Sequence, residues 1–327
     1  MRMLVLGGTA WLGREIARRA LEEGWEVSCL ARGESGAPPE GVRLVTADRT
    51  QRGVYEEVPG DWDAVVDVAR QPGQVRSAVA ALGARAGHWT LVSTGNVYAD
   101  LSVPLTEDSP LREPLVGDVA GMEEYGEGKV ACEQAVRGLS NHTIWRAGLI
   151  GGPGDPSDRF GYWVSRFALA GAGPVLVPDV PDQPVQVVDV RDLAAWIVRA
   201  AHGAVAGCFN ACGDQLPFAD VLDLAGQVAG FAGKQVRADP QWLLDHEVEH
   251  WMGARSLPLW LPDDHLGMVQ MSPGRARAAG FVPRPLEDTL AATLEDERAR
   301  GLDRGRRAGL SRADELALLA DQSSSAG

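Results

Sequence analysis

The segment from Met3 to about Glu23 constrains this chain more than any other. Met3-Leu4-Val5-Leu6 is an apolar run without polar alternation, the pattern of a strand buried on both faces. Gly7-Gly8-Thr9-Ala10-Trp11-Leu12-Gly13 follows, and a helical pattern runs from Leu12 to about Glu23. A buried strand that turns through glycines into a helix gathers backbone N–H groups at one point. The helix N-terminus adds partial positive charge there, so the turn suits a pyrophosphate. An ordinary tight turn is the alternative reading of the same residues.

The rest of the first half repeats the alternation. Glu26 to Leu30, Val42 to Ala47, Ala64 to Ala69 and Trp89 to Ser93 read as further strands, with helical periodicity from Gln74 to Leu82. Strands alternating with helices imply an α/β fold with a doubly wound parallel sheet, whose ligands sit outside the carboxyl ends of the strands. Gly7, Arg32, Asp48, Ala69 and Thr94 fall at those ends. Arg32 stands at the tip of the second strand, where an acid would bind a ribose 2′-hydroxyl and an arginine would accommodate a 2′-phosphate. That tip predicts NADP rather than NAD, with a solvated Arg32 as the alternative.

Composition narrows the partners. The chain has 327 residues and a net charge of −14, which disfavours nucleic acid and anionic membranes as partners. Four cysteines without a CxxC pair suit a reducing cytoplasm, and the apolar start breaks too early for a signal peptide. No apolar stretch is long enough to span a bilayer, and the tail from Ser323 to Gly327 reads as disordered.

Only Lys129 and Lys234 among 31 basic residues are lysine. Each therefore raises the question of what arginine could not supply there. Lys129 lies four residues after Tyr125, on one face of a helix that runs to about Arg137. Gly126 and Gly128 lie between them, poor helix formers that would admit a ligand closely. A long proline-bearing connection, Asp100 to Gly121, precedes this helix and reads as functional or mobile.

The glycine turn, Thr94-x-x-Val97-Tyr98 and Tyr125-x-x-x-Lys129 occur in the order found in extended short-chain dehydrogenases/reductases. The chain resembles that group, the NAD-dependent epimerase/dehydratase family. The resemblance continues through Arg146 to Pro153 and through Gln186 to Ala194, and fades after about Asn210. Ala10 replaces the middle glycine of the family turn, and Ala147 and Gly151 replace a proline and a tyrosine.

The resemblance implies a Rossmann-type domain from residues 1–157 and 184–213 and a smaller, mostly helical substrate-binding lobe from 158–183 and 214–310. Residues 311–327 would form a C-terminal helix and tail. It implies Thr94, Tyr125 and Lys129 as the catalytic set. Gly7, Thr9, Ala10, Trp11, Leu12 and Gly13 would hold the cofactor, together with Arg32, Asp48, Ala69, Lys129 and Leu149. An ordinary tyrosine titrates at about 10, and an ammonium one helical turn away favours its phenolate. Thr94 would fix the substrate oxygen, while the cofactor carries the redox step.

The expected function is that of a cytoplasmic NADP(H)-dependent oxidoreductase. It would interconvert a carbonyl and an alcohol on a small metabolite, with Tyr125 as proton donor and acceptor. The alternatives are an NAD-dependent epimerase or dehydratase, for instance on a sugar nucleotide, that recycles its cofactor, and a non-catalytic Rossmann-type binding protein. A homodimer is left open.

The second half carries fewer signals. Helical patterns fall at about 218–229, 241–251, 274–279, 286–300 and 312–319. Trp163, Trp251 and Trp260 are candidates for an apolar pocket, with core packing as the alternative. His246-Glu247-Val248-Glu249-His250 matches HExxH, which on a helix would hold zinc. Here it reads as a solvated helix face, and no metal is expected.

Overall fold

The computed structural model describes residues 1–325. In chain order the first half comprises β1 (Arg2–Leu6), α1 (Trp11–Glu22), β2 (Glu26–Ala31), β3 (Arg43–Thr46) and β4 (Ala64–Asp67). It continues with α2 (Pro72–Leu82), β5 (Trp89–Thr94), α3 (Tyr125–Arg137) and β6 (His142–Ala147). Next come β7 (Leu149–Gly151), α4 (Gly161–Ala170), β8 (Val175–Pro178), β9 (Pro184–Asp189), α5 (Val190–Gly203) and β10 (Gly207–Ala211). After these lie β11 (Gln215–Pro217), α6 (Phe218–Ala229), β12 (Gln235–Ala238), α7 (Pro240–Asp245), β13 (Glu249–His250) and β14 (Ser256–Leu257). The chain ends with α8 (Gly274–Ala278), α9 (Leu286–Arg300) and α10 (Arg312–Ser325).

Two compact units result. The first comprises Met1–Gly148, Val190–Cys212 and Met271–Val282. Its seven-stranded sheet has the order β10-β6-β5-β4-β1-β2-β3, and every pairing is parallel. The chain leaves β1 outward to β2 and β3, then crosses back to β4 on the other side. Right-handed crossovers in opposite directions put helices on both faces and open a crevice at the β1/β4 switch point. α1 packs on α5, and α2 packs on α3. Gly13, Ile16, Ala17 and Ala20 form the buried stripe of α1. The fold is thus a Rossmann-type parallel sheet, as the alternation of elements predicts.

The second unit comprises Leu149–Asp189, Gly213–Gln270 and the chain from Pro283 onward. Its strands form small sheets, β11-β9-β7 and β12-β8, beneath α4, α6 and α9. The helix-rich C-terminal region is as expected. Its core gathers Phe160, Tyr162, Trp163, Phe167, Phe218 and Trp260.

Three expectations are corrected in this unit. Trp163 and Trp260 are 1% and 2% exposed and belong to the core, so they line no open pocket. The helix read over 241–251 stops at Asp245, because the chain turns at His246 and Glu247 takes φ +58°. α10 runs on through Ser323 and Ser324 to Ser325, so that part of the expected disordered tail is helical. Ala326 and Gly327 lie outside the described residues. Among the described residues no helix is long and apolar enough to cross a membrane.

Candidate active site

The glycine turn leaves β1 at the switch point. Gly7 has φ +102°, a conformation that side chains disfavour. A Cβ on Gly8 would stand 2.1 Å from Cys29 Sγ, and one on Gly13 would stand 2.3 Å from the Gly7 carbonyl oxygen. These two glycines press the turn onto β2 and the helix onto the turn. Ala10, the missing family glycine, is exposed and caps α1 with no side-chain hydrogen bond. Its methyl therefore clashes with nothing that shapes the turn, and no side chain of the cap competes for the first-turn N–H groups. The cradle fits a dinucleotide pyrophosphate.

Lys129 is 2% exposed. Its ammonium donates to the carbonyls of Ala69 (2.8 Å), just past the end of β4, and of Val92 (2.6 Å), within the neighbouring strand β5. One N–H of three remains for a bound group. The Ala69 end is itself fixed, because Asp67 Oδ1 accepts the Ala69 N–H (2.9 Å). Asp67 pairs bidentately with Arg49 at 2.8 Å for both contacts. Burial alone would lower the Arg49 pKa, but Asp67 holds it above the ordinary range.

Tyr125 opens α3, half-buried, one turn before Lys129. The expectation that Gly126 and Gly128 admit a ligand is corrected. A Cβ on Gly126 would stand 2.3 Å from the Asn96 carbonyl oxygen, and one on Gly128 would stand 2.6 Å from Ala120 Cβ. Both glycines let α3 pack against protein.

Thr94 Oγ1 accepts from the Asn96 backbone N–H and side-chain amide, each at 3.3 Å, which leaves its own hydrogen to donate. The adjacent Ser93 is already committed to Glu133 at 2.7 Å. Glu133, fully buried, also takes both arms of Arg146 (3.0 and 2.8 Å) and Arg137 (3.1 Å). Burial alone would raise the Glu133 carboxyl, but its bonds to Arg146 and Ser93 hold it below the usual range. Tyr98 donates to Asn210 at 2.5 Å beneath Arg146, and burial pushes its phenol up to about 12. Sequence reading missed Glu133. The signal was there, because Tyr125, Lys129 and Glu133 recur at four-residue steps along one helix.

The long connection before α3 is anchored rather than loose. Arg76 donates to the carbonyls of Leu115, Val116 and Gly117 and pairs with Asp118 at 2.8 Å. Gln71 exchanges two amide bonds with Ala120.

At the other end of the crevice, Asp48 Oδ1 accepts the Thr50 N–H and hydroxyl, and these bonds hold its carboxyl below the usual range. Arg32 is exposed and pairs with Glu34 at 3.1 Å. A 2′-phosphate there would have to displace a carboxylate and then lie beside it.

Leu149 begins the second unit, as the first residue of β7. In that unit a Cβ on Gly151 would stand 2.6 Å from Phe160 Cγ, so the ring excludes the family tyrosine. The two histidines of the HExxH match share no helix face. His246 bonds Trp242 and Asp321, and the His250 ring lies tilted against Trp260 with centroids 3.9 Å apart.

The sequence model described as the NAD dependent epimerase/dehydratase family matches residues 3–211. The structure is similar to UDP-glucuronic acid 4-epimerase from Bacillus cereus in complex with NAD, with a TM-score of 0.66 and 15% identity. That match covers 92% of this chain and 99% of the other. It is similar to the Thermus thermophilus UDP-glucose 4-epimerase complex with NAD, with a TM-score of 0.65 and 19% identity over 92% and 100% of the two chains.

Two curated relatives, each described as photosystem II assembly factor Ycf39, match in part. The Guillardia theta protein is 66% identical over 32 residues, 10% of each chain. The Trieres chinensis protein is 31% identical over 130 residues, 33% of this chain and 39% of that one. The matched region thus spans well under half of either relative. Solved relatives from Bacillus cereus, Thermus thermophilus and Bordetella bronchiseptica hold NAD, which overturns the expected preference for NADP. The Glu34 carboxylate on Arg32 gives a physical reason.

Proposed function

Since this chain belongs to the NAD dependent epimerase/dehydratase family, we propose that it is an NAD-using epimerase or dehydratase of a small, sugar-nucleotide-like substrate. The observation that carries the proposal is Lys129, a buried ammonium held on the Ala69 and Val92 carbonyls with one donor left, one helical turn from Tyr125. NAD, when bound, supplies a reversible hydride acceptor, so that oxidation and reduction close within one turnover. The turn from Gly7 to Gly13 would hold its pyrophosphate, Asp48 and Ala69 would flank its adenosine half, and Lys129 would hold the nicotinamide ribose. Thr94 donates its free hydrogen to the substrate oxygen. Tyr125 exchanges a proton with that oxygen.

Dinucleotide released from the denatured protein should be NAD. Incubation with UDP-glucose or UDP-glucuronic acid, without added cofactor, should yield an isomer or dehydrated product. Tyr125→Phe should lower that turnover by ~10²–10⁴-fold with NAD still bound. Turnover that instead consumes added NADH stoichiometrically would replace this reading with a net reductase. The partial likeness to two assembly factors supports a second reading, a dinucleotide-binding protein without turnover. That reading requires wild type to hold NAD and to turn over neither nucleotide.

A further inference from the structure

We propose that Arg70 takes an oxyanion of the substrate, a carboxylate on the carbon next to the one that reacts. This inference rests on Tyr125 being the acid–base group. Arg70 leaves the same strand end whose Ala69 carbonyl holds Lys129. Its guanidinium carbon stands 5.3 Å from the Tyr125 ring centroid, and Nη2 donates to Met122 Sδ at 3.0 Å. Among the described residues no carboxylate pairs with it. The other guanidiniums tied to these elements are all committed: Arg49 to Asp67, Arg76 to Asp118, Arg112 to Glu127 and Arg146 to Glu133.

Arg70 thus rests on an aromatic face and a thioether, both weak acceptors for a cation with five donors. A carboxylate offers it two parallel charge-assisted bonds and wins that exchange. The move breaks no core packing, because Arg70 is exposed and Met122 is 71% exposed. The guanidinium covers the ring of the group that would exchange the substrate's proton. The oxyanion it captures therefore belongs to a substituent next to the reacting carbon rather than to the far end of the substrate. A hexuronic acid has that arrangement, with its carboxylate beside C4.

The test has two arms. In the first, NAD-loaded wild type and Arg70→Gln are titrated calorimetrically with UDP-glucuronic acid and with UDP-glucose. Wild type should bind the acid about 10- to 150-fold more tightly, the range of one charge-assisted contact. Arg70→Gln should lose that preference and keep its affinity for UDP-glucose, while Arg70→Lys restores part of it. Equal weakening of both nucleotides by Arg70→Gln would place Arg70 on the diphosphate and overturn the proposal.

The second arm uses no nucleotide. The chain has six methionines, so ¹³C-methyl labelling gives few signals, and Met122→Leu assigns the one in contact with Arg70. Acetate, with inorganic phosphate as the comparison, should shift the Met122 methyl in wild type and leave it still in Arg70→Gln. A response to acetate with neither nucleotide bound retains Arg70 and removes the sugar-nucleotide reading. A silent Met122 with equal binding of both nucleotides overturns Arg70 and leaves that reading standing.

Discussion

Lys129 is a buried cation that pairs with no carboxylate among the described residues. Its two carbonyl partners, at 2.8 and 2.6 Å, partly replace the water it has lost, and they aim its ammonium. A guanidinium is planar and wider, so it cannot point three tetrahedral donors from one atom into the same gap. The rarity of lysine in this arginine-rich chain acquires a cause here. Lys129→Arg should raise the Kd for NAD and lower turnover, each by roughly 10-fold or more, the loss of one charge-assisted hydrogen bond. Dinucleotide titration and steady-state rates check both. Wild-type NAD affinity in that variant would mean that the third N–H touches no cofactor. Arg32 behaves differently, because it is an exposed partner of Glu34. Arg32→Ala should change NAD affinity by less than about fivefold, as surface ion pairs contribute little.

Along α3 the demands of packing and of helix propensity conflict. Alanine outranks glycine in a helix by about 0.8–1 kcal/mol. Yet Gly126→Ala drives a methyl to 2.3 Å from the Asn96 carbonyl oxygen, and a backbone atom cannot swing aside. We expect that variant to lose about 1–3 kcal/mol and most of its turnover, since Asn96 also carries the Thr94 contacts. Gly138 has φ −73° at the end of the same helix, with nothing within 4 Å of a Cβ. Gly138→Ala should gain about 0.4–1 kcal/mol. Urea unfolding of the pair separates the two effects, and equal shifts would show that propensity alone governs the helix. The same element shows what sequence can disclose. The helix that carries Tyr125 and Lys129 and the strand-turn-helix at Gly7 were legible because both depend on local spacing. The true work of Gly126 was not, because Asn96 lies on another element. Neither was the pairing of Arg32 with Glu34, since two adjacent charges in sequence do not disclose whether they face a ligand or one another. The HExxH letters misled through the assumption of a helix, which Glu247 ends with φ +58°.

For the molecule as a whole, acid titration sets two electrostatic effects against each other. The chain carries a net charge of −14, so mild acid relieves its self-repulsion. Glu133 works in the opposite sense. It joins α3 to β5 through Ser93 and to β6 through Arg146, and Arg146 reaches Tyr98, which bonds Asn210 on β10. Burial raises its carboxyl, Arg146 and Ser93 lower it further, and the net position in the folded protein is below the ordinary value. A depressed carboxylate stabilises the fold fully above its unfolded pKa of about 4.3, and that contribution drains away as pH falls from there through the folded value. Glu133→Gln leaves Arg146 buried without its counter-charge, so at about pH 7 it should cost ~3–5 kcal/mol. The gap between wild type and variant should then narrow below about pH 4.3, where the unfolded wild type takes up a proton that its folded state still excludes and that the variant cannot bind. Taking the difference removes the general relief of repulsion, which both proteins share to within one charge. Calorimetric or urea unfolding of both across that range measures it. A gap that stays constant into acid would mean that the charge of Glu133 does not hold these elements together, and that its side chain serves by shape alone.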